Sequence, residues 1–161
     1  MTRPSLNKEQ LAELNKILEL ATLLYMPTKD IFHNAVRSAL EKEGWIITHD
    51  PLFIKVEELD FFIDLAGEKI LAAERDGLKI AVEIKYFLAA SDLASFYLAL
   101  GQFLSYRSAL RKKQPNMILY LAINQDVYND FFSNRFIQQE LIAEHQLKLL
   151  IFEAMRKEIF L

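Results

Sequence analysis

Apolar and polar residues recur along the chain with two different periods. Four stretches have apolar residues at the spacing of an amphipathic helix. They are residues 7–24, 29–43, 91–112 and 125–144, the last broken near Ser133–Asn134. Asn7 and Gln10 form a capping-box pattern at the first of these stretches, and Gly44 is a natural end for the second.

The remaining patterned stretches alternate between apolar and polar positions, which is typical of half-buried strands. These stretches are residues 45–48, 53–56, 60–65, 69–75, 79–86, 116–123, 147–152 and 158–161. Helices come first, then several strands, then helix, strand, helix and strands. This order predicts a mixed α/β, or α+β, domain with a central mixed sheet, antiparallel hairpins and flanking helices.

Two predicted turns set the pairing of the middle strands. Asp76–Gly77 is a two-residue hairpin signal, and Ala66–Glu68 provides a three-residue loop before it. The resulting register aligns Asp64, Ile70 and Glu83 in one row across three strands. Asp64 and Glu83 are then expected to lie roughly 10 Å apart at Cα, with one strand between them.

This register also predicts one apolar and one polar face. The apolar face contains Phe61, Ile63, Leu65, Leu71, Ala73, Ile80, Val82 and Ile84. The polar face contains Asp60, Asp64, Glu74, Lys79, Glu83 and Lys85, with small Ala72 and Ala81, and it places Glu74 opposite Lys79. A slip of the first strand by one residue would move Asp64 onto the apolar face, which is costly.

The sequence IAVEIK, residues 80–85, carries Glu83 and Lys85 on one side of a strand. An ordinary solvated face explains such a pair, because Glu-x-Lys is short and common. The helix over residues 91–112 favours a functional interpretation. It needs a surface to cover, and Gly101 in its middle is expected to permit close approach to the sheet.

Gln102 and Tyr106 are four residues apart, so they lie on one side of this helix. An acid, a Glu-x-Lys pair and a helical Gln-x-x-x-Tyr together resemble the PD-(D/E)xK nuclease superfamily, and the last element resembles its RecB-like branch. In such a site, Asp64 and Glu83 bind Mg²⁺ or Mn²⁺. Lys85 then orients or deprotonates water, supported by Gln102 and Tyr106. Asp30, Glu68 and Glu74 are further acids that could contribute.

A closer resemblance begins at Met26. The stretches that carry it are MPTKDIFHNAV (26–36), EGWIITHDPL (43–52), FIDLAGEKILAAERDGLKIAVEIKYF (62–87), LALGQFLSYRSAL (98–110) and ILYLAI (118–123). They resemble the XisH family of fdxN element excision controlling factors. The resemblance implies a restriction-endonuclease-like fold over residues 26–161, a role in excision of a DNA element and a small XisI-type partner. Its candidate site residues are Asp64, Glu83 and Lys85, with Gln102 and Tyr106 in support.

Two functions therefore remain open. One is a metal-dependent DNA endonuclease. The other is a catalytically inactive accessory protein that controls site-specific recombination through its XisI-type partner, and a homo-oligomer is possible for either. The two functions differ in whether Asp64, Glu83, Lys85 and Gln102 converge in one cleft.

Residues 1–25 precede the part of the chain that resembles the family. They form an N-terminal helical extension or follow from an upstream start codon, and their leucine stripe favours a packed helix. The swap to Ala66–Gly67 at a position where the family usually reads Gly-Ala leaves the turn type there undefined.

Composition limits the cellular compartment and the kinds of binding site that are compatible with the chain. The 161 residues include no cysteine, which excludes disulfide scaffolds and thiolate metal sites and fits a reducing cytoplasm. No apolar run reaches the ~18 residues of a membrane span. The net charge of −3 is unfavourable for DNA binding, and the best basic cluster is Arg107, Arg111, Lys112 and Lys113. Helix-dipole compensation explains this cluster, and phosphate contact is the alternative.

Overall fold

The structure is a computed structural model that describes residues 6–25, 28–69, 77–87 and 93–160. The described helices are α1 Lys8–Tyr25, α2 Thr28–Lys42, α3 Leu93–Lys113 and the short α4 Gln125–Val127, which is followed by π-helical segments Tyr128–Phe132 and Ile137–Ile142. The described strands are β1 Ile46–His49, β2 Leu52–Val56, β3 Leu59–Ile63, β4 Leu65–Lys69, β5 Leu78–Ile84, β6 Met117–Asn124, β7 Leu149–Glu153 and β8 Glu158–Phe160. The predicted mixed α/β class, with a helix broken at Ser133–Asn134, is confirmed.

Six strands form one mixed sheet in the order β1-β4-β5-β6-β7-β8. The central strands β5, β6 and β7 run parallel, and the outer pairings are antiparallel. Strands β2 and β3 form a separate antiparallel hairpin. Helix α3 connects the parallel neighbours β5 and β6, as a crossover between parallel strands requires.

Each face of the sheet is covered by helices. Helix α2 packs on one face through Ala35, Val36 and Leu40, which meet Leu65 and Val82 in an apolar cluster. On the other face, α3 and the β2–β3 hairpin form a second cluster. That cluster contains Phe96, Phe103, Ala81, Leu121, Leu52 and Ile63. Glu83 is the buried charged side chain among the described residues, and it is 6 % exposed.

The predicted turn at Ala66–Glu68 is wrong. These residues lie within β4, whose Glu68 pairs with Lys79 of β5, so the predicted pairing of Lys79 with Glu74 is also wrong. Gly67 explains the difference, since a Cβ at this position would meet the Ile46 carbonyl oxygen of β1 at 3.1 Å. This glycine allows two strands to approach closely and does not form a turn. Ile70 and Glu74 lie outside the described residues.

The predicted apolar face is wrong in part. Leu65, Ile80, Val82 and Ile84 do share the α2 side, but Ile63 and Phe61 pack on the α3 side. The chain bends at Asp64, where it leaves the β2–β3 hairpin and enters the main sheet. A period-two pattern holds only within one continuous strand, so the bend breaks it. Leu71 and Ala73 are outside the described residues.

Helix α1 begins with the predicted capping box. The Gln10 amide donates to Asn7 Oδ1 at 2.8 Å, and the Asn7 amide donates to Gln10 Oε1 at 3.1 Å. The expectation of a packed leucine stripe is wrong, because Leu11 and Leu14 are 48 % and 40 % exposed. In the described part of the chain, no helix is both long and apolar enough to cross a membrane.

Candidate metal and lysine site

Asp64, at the bend before β4, lies next to Glu83 of the adjacent strand β5, with no strand between them. The β4–β5 register pairs Leu65 with Val82, so the next position places Asp64 opposite Glu83. The Asp64 amide donates to Glu83 Oε2 at 3.3 Å, and the Ile84 amide donates to Asp64 Oδ2 at 2.8 Å. The predicted separation of roughly 10 Å is therefore wrong. Each carboxylate is held by a backbone amide of the other strand.

Lys85 joins these carboxylates to helix α3. Its Nζ lies 3.3 Å from Glu83 Oε1 and also donates to Gln102 Oε1. Gln102 Nε2 donates to the Tyr106 hydroxyl at 2.6 Å. The amide of Gln102 is thereby oriented, with its oxygen toward the ammonium group and its nitrogen toward the phenol.

All five residues predicted for the site thus form one connected cluster at the α3 side of β5. The Tyr106 ring packs edge-on against Phe61 of the β2–β3 hairpin, with centroids 6.1 Å apart. The expectation for Gly101 is wrong. It is exposed, and a Cβ at this position would meet nothing within 4 Å. The contact between α3 and Lys85 is made by the Gln102 side chain, one turn before Tyr106, and Gly101 makes no close contact.

The surroundings of Glu83 disfavour its charge. Burial and the nearby Asp64 carboxylate raise the pKa of Glu83 to about 7, although the Lys85 ammonium and the Asp64 amide act in the opposite direction. Burial and the Glu83 charge also raise the pKa of Tyr106. The phenol consequently remains protonated at neutral pH and can donate a hydrogen bond.

A small cleft opens beside Asp64. Besides Asp64 and Ile84, its described lining consists of Lys29, Phe32, His33 and Tyr86. The sequence patterns assigned no site role to Lys29, His33 or Tyr86. The adjacency of Tyr86 to Lys85 was a usable signal. The approach of α2 to Asp64 was not visible in the sequence.

His33 also belongs to a second charged cluster. Its Nε2 lies 2.8 Å from Asp50 Oδ1, and Arg37 Nη1 lies 2.5 Å from Asp50 Oδ2. Partial burial opposes ionisation of Asp50, but the hydrogen bonds from His33 and Arg37 outweigh it and lower the pKa of this carboxyl. The cluster ties α2 to the segment between β1 and β2.

The remaining candidate acids are not part of the carboxylate cluster. Glu68 lies four residues further along β4, opposite Lys79. Asp30 is exposed in the first turn of α2 and is not among the described residues that line the cleft. Glu74 lies outside the described residues. Among the described residues, no group of three His, Cys, Asp or Glu side chains is placed to hold a metal ion.

Comparison with known proteins places the chain in a family. A model of the XisH protein family matches residues 26–160. The chain belongs to the XisH family. Helix α1 precedes the matched region. Among curated proteins, none matches the chain.

Two crystal structures of XisH relatives are similar to this chain. One is an XisH family protein from Nostoc punctiforme PCC 73102, with a TM-score of 0.71 and 45 % identity over 81 % of this chain and 97 % of that one. The other is an fdxN element excision controlling factor protein from Anabaena variabilis, with a TM-score of 0.71 and 42 % identity over 82 % of this chain and 97 % of that one.

Proposed function

We propose that this XisH family protein is a DNA endonuclease that uses Mg²⁺ or Mn²⁺ and acts in the excision of a DNA element. The observation that carries the proposal is the cluster itself. Asp64 and Glu83 meet at the end of β5, and the Lys85 ammonium lies 3.3 Å from Glu83. The relative from Anabaena variabilis, described as an fdxN element excision controlling factor, supports the connection with excision.

The donor set fits a small hard cation. Asp64 and Glu83 offer carboxylate oxygens, and Mg²⁺ commonly binds one or two carboxylates while it retains several waters. Two protein ligands would leave the other coordination positions of such a cation to water and phosphate oxygens. A cation there would polarise the scissile phosphate and make a bound water more acidic. A raised pKa is expected for the buried Glu83 when no metal ion is bound, because the charge of the neighbouring Asp64 carboxylate is then not compensated.

Lys85 and the α3 residues supply the remaining functions. The Lys85 ammonium has three N–H groups, and its contacts with Glu83 and Gln102 use two of them. The third can donate to an attacking water or to a phosphate oxygen that gains charge in the transition state. Gln102 keeps the ammonium oriented, and Tyr106 keeps Gln102 oriented. Lys29, exposed at the rim of the cleft, provides a phosphate contact.

The alternative is an inactive accessory protein that acts with an XisI-type partner. The net charge of −3 favours it, because a protein that binds DNA by itself usually presents a basic excess. A partner could also provide the positive surface that this chain lacks. Cleavage by the chain in the presence of its partner is the measurement that separates the two functions.

The decisive assay incubates the purified chain, alone and with an XisI-type partner, with supercoiled, single-stranded and branched DNA in Mg²⁺ or Mn²⁺. Lys85→Ala is expected to lower the cleavage rate by about 10²–10⁴-fold, because a positioned proton-transfer or charge-stabilising group is lost. Lys79→Ala is the matched control, since Lys79 is exposed near the other end of β5. It should cleave like the native chain.

Each outcome separates the two functions. Cleavage by the native chain and Lys79→Ala, but not by Lys85→Ala, supports the nuclease. Equal trace cleavage by all three proteins identifies a contaminating nuclease and counts against the proposed nuclease function. No cleavage under any condition with the partner present overturns the nuclease in favour of the accessory role.

A further inference from the structure

Two adjoining cavities lie along the C-terminal half of α3. The larger has a volume of about 490 Å³ and the smaller about 250 Å³. They share four lining residues, which are Arg107, Met117, Leu119 and Gln146. The volume of the larger cavity falls within the roughly 300–1,000 Å³ of pockets that hold small organic molecules.

The charge of the lining has one sign. Arg107 and Arg111 project from α3, and Lys148 directly precedes β7. Among the described residues that line the two cavities, none is acidic. This contrasts with the chain as a whole, which carries 22 acidic and 19 basic residues.

The floor of the larger cavity is apolar. Phe103, Met117, Leu119, Ile142 and Leu147 line it between α3, β6 and the second π-helical segment. Cations at the rim and apolar side chains beneath are complementary to a molecule with an anionic head and an apolar body. A bare phosphate or a DNA backbone would leave this apolar floor unused.

Arg107 makes the wall of the cavity rigid. Its Nη1 donates to the His145 carbonyl at 2.7 Å and to the Gln146 carbonyl at 3.3 Å. Gln146 itself has a left-handed φ of 51°, and the Leu147 amide closes the turn by donating to the Ile142 carbonyl at 3.0 Å. The turn is thus fastened to α3, so the cavity is formed before any ligand arrives.

Helix-dipole compensation does not account for the whole set of cations. The dipole acts within the last turn of a helix. Arg111, Lys112 and Lys113 are in the last turn of α3, but Arg107 lies more than one turn before its end. Lys148 belongs to a different part of the chain and does not serve this helix end.

We infer that these cavities form a binding site for a small organic anion with an aromatic or aliphatic body and a carboxylate or phosphate head. Arg111 in the smaller cavity and Lys148 in the larger one provide positive charge for the head, and the apolar floor of the larger cavity receives the body. Arg107 contributes charge while it holds the turn. The site lies apart from Asp64 and Glu83, and the inference stands without the proposed cleavage.

Met117 provides a reporter inside the site. The chain has four methionines, so ¹³C-methyl labelling of methionine gives a simple NMR spectrum in which Met117→Leu identifies the Met117 signal. Met155 is a built-in control, because it is 67 % exposed and lines neither cavity. The probes are 1-naphthyl phosphate and 2-naphthoate, with inorganic phosphate and 1-naphthol as head-only and body-only controls.

A saturable shift of the Met117 signal with both naphthyl anions, without a shift of Met155, is the expected result. Inorganic phosphate and 1-naphthol should bind much more weakly. Either order of the two affinities supports the site, and their ratio identifies the preferred head. Lys148→Gln and Arg111→Gln should each weaken binding by about fivefold, since each removes one solvent-screened charge contact. Lys113→Gln, on the same helix end but outside the lining, should leave binding unchanged.

Three outcomes would overturn the inference. One is a Met117 signal that does not move at millimolar probe. Another is equal weakening by Lys113→Gln and Lys148→Gln, which would mean general charge attraction. The third is displacement of 1-naphthyl phosphate by a short DNA duplex that itself shifts Met117, which would assign the surface to a nucleic-acid backbone.

Discussion

Two clusters of charged residues shift the pKa of a carboxyl group in opposite directions. One surrounds Asp50, beside α2, and the other surrounds Glu83, on β5. Asp50 is contacted by both His33 and Arg37, and these hydrogen bonds lower its pKa despite partial burial. Glu83 has the cation Lys85 nearby, yet burial and Asp64 outweigh it and raise the pKa of Glu83 to about 7.

The difference lies in how the charge is compensated. The protein supplies two hydrogen-bond partners for Asp50, the Arg37 guanidinium and the His33 ring, so this cluster is complete and links α2 to the start of β2. At Glu83, the nearby Asp64 carboxylate adds a second negative charge, and the Lys85 ammonium offsets the two only in part. The metal ion of the proposed function would compensate the rest. A carboxyl group with a strongly raised pKa is typical of a functional site, while a carboxylate whose charge is fully hydrogen-bonded is typical of a structural link.

The largest effect is expected from Glu83→Gln. Removal of a proposed metal ligand should lower DNA cleavage at least about a hundredfold, because even outer-shell changes cost 10–100-fold. Mn²⁺ should raise the thermal midpoint of the native chain and not that of the variant, since ligand binding stabilises only a protein that binds it. Without metal, the variant should unfold at a temperature no lower than the native chain, because a neutral amide avoids burying a charge.

Glu68→Gln is the control for this measurement, since Glu68 lies on β4 away from the cluster. It should retain both cleavage and the Mn²⁺ shift. A Glu83→Gln protein that still responds to Mn²⁺ would break the comparison, because the two clusters would then both be structural.

A smaller effect is expected at the α3 residues. Gln102→Leu removes a hydrogen bond to a charged group, so cleavage should fall by about tenfold or more, with a smaller change in the DNA concentration required for half-maximal rate. Tyr106→Phe removes a neutral hydrogen bond and should cost about fivefold. Steady-state kinetics on one DNA substrate measures both variants.

The relative size of these two effects tests whether Tyr106 acts through Gln102. If Tyr106→Phe lowered the rate more than Gln102→Leu, the phenol would contact the substrate itself and would not act through Gln102. Ser105→Ala is a control on the exposed side of α3, where Ser105 Oγ donates to the Gly101 carbonyl at 2.9 Å.

The smallest effect is expected from Asp50→Asn, and it concerns stability. Solvent screens this partly exposed cluster, so ionised Asp50 with its two partners should contribute no more than about 1 kcal/mol to the free energy of unfolding. The folded-state pKa is lowered, so this contribution is present above the ordinary value of about 4 and is lost as pH falls through the lower folded value. The difference in thermal midpoint should therefore be full at pH 7 and shrink in acid.

Thermal unfolding of both proteins between neutral and acidic pH measures this effect. Asp60→Asn is the matched control, because the Asp60–Lys55 pair is exposed with a 3.9 Å separation and should contribute little. A midpoint difference for Asp50→Asn that stays constant into acid would mean that the lost interaction does not depend on the charge of Asp50.

Local sequence patterns predicted most elements of the fold. The helix starts, the alternating strands and the break at Ser133–Asn134 follow from hydrogen bonds and side-chain periods within a few residues. The hairpin register could not be predicted in the same way. Gly67 fits either a turn or a crowded strand, and only the approach of β1 to within 3.1 Å of its Cβ position distinguishes them.

The candidate site was predicted by residue type, and its arrangement was not. Asp64, Glu83, Lys85, Gln102 and Tyr106 were all selected from spacing and from the family resemblance. Their placement with one strand between the acids was wrong, because it assumed that residues 60–65 form a single continuous strand. Lys29, His33 and Tyr86 were missed as cleft residues, since no local pattern reports that α2 packs beside Asp64.

The sequence alone therefore determined the mixed α/β class, the elements and the chemical groups available for catalysis, because each depends on short-range periodicity and residue type. Only the tertiary structure decided that Asp64 meets Glu83 directly, that α1 leaves its leucines exposed and that Arg107 and Lys148 line an apolar cavity. These features depend on contacts between residues far apart in the chain, and long-range packing of the sheet and helices fixes such contacts.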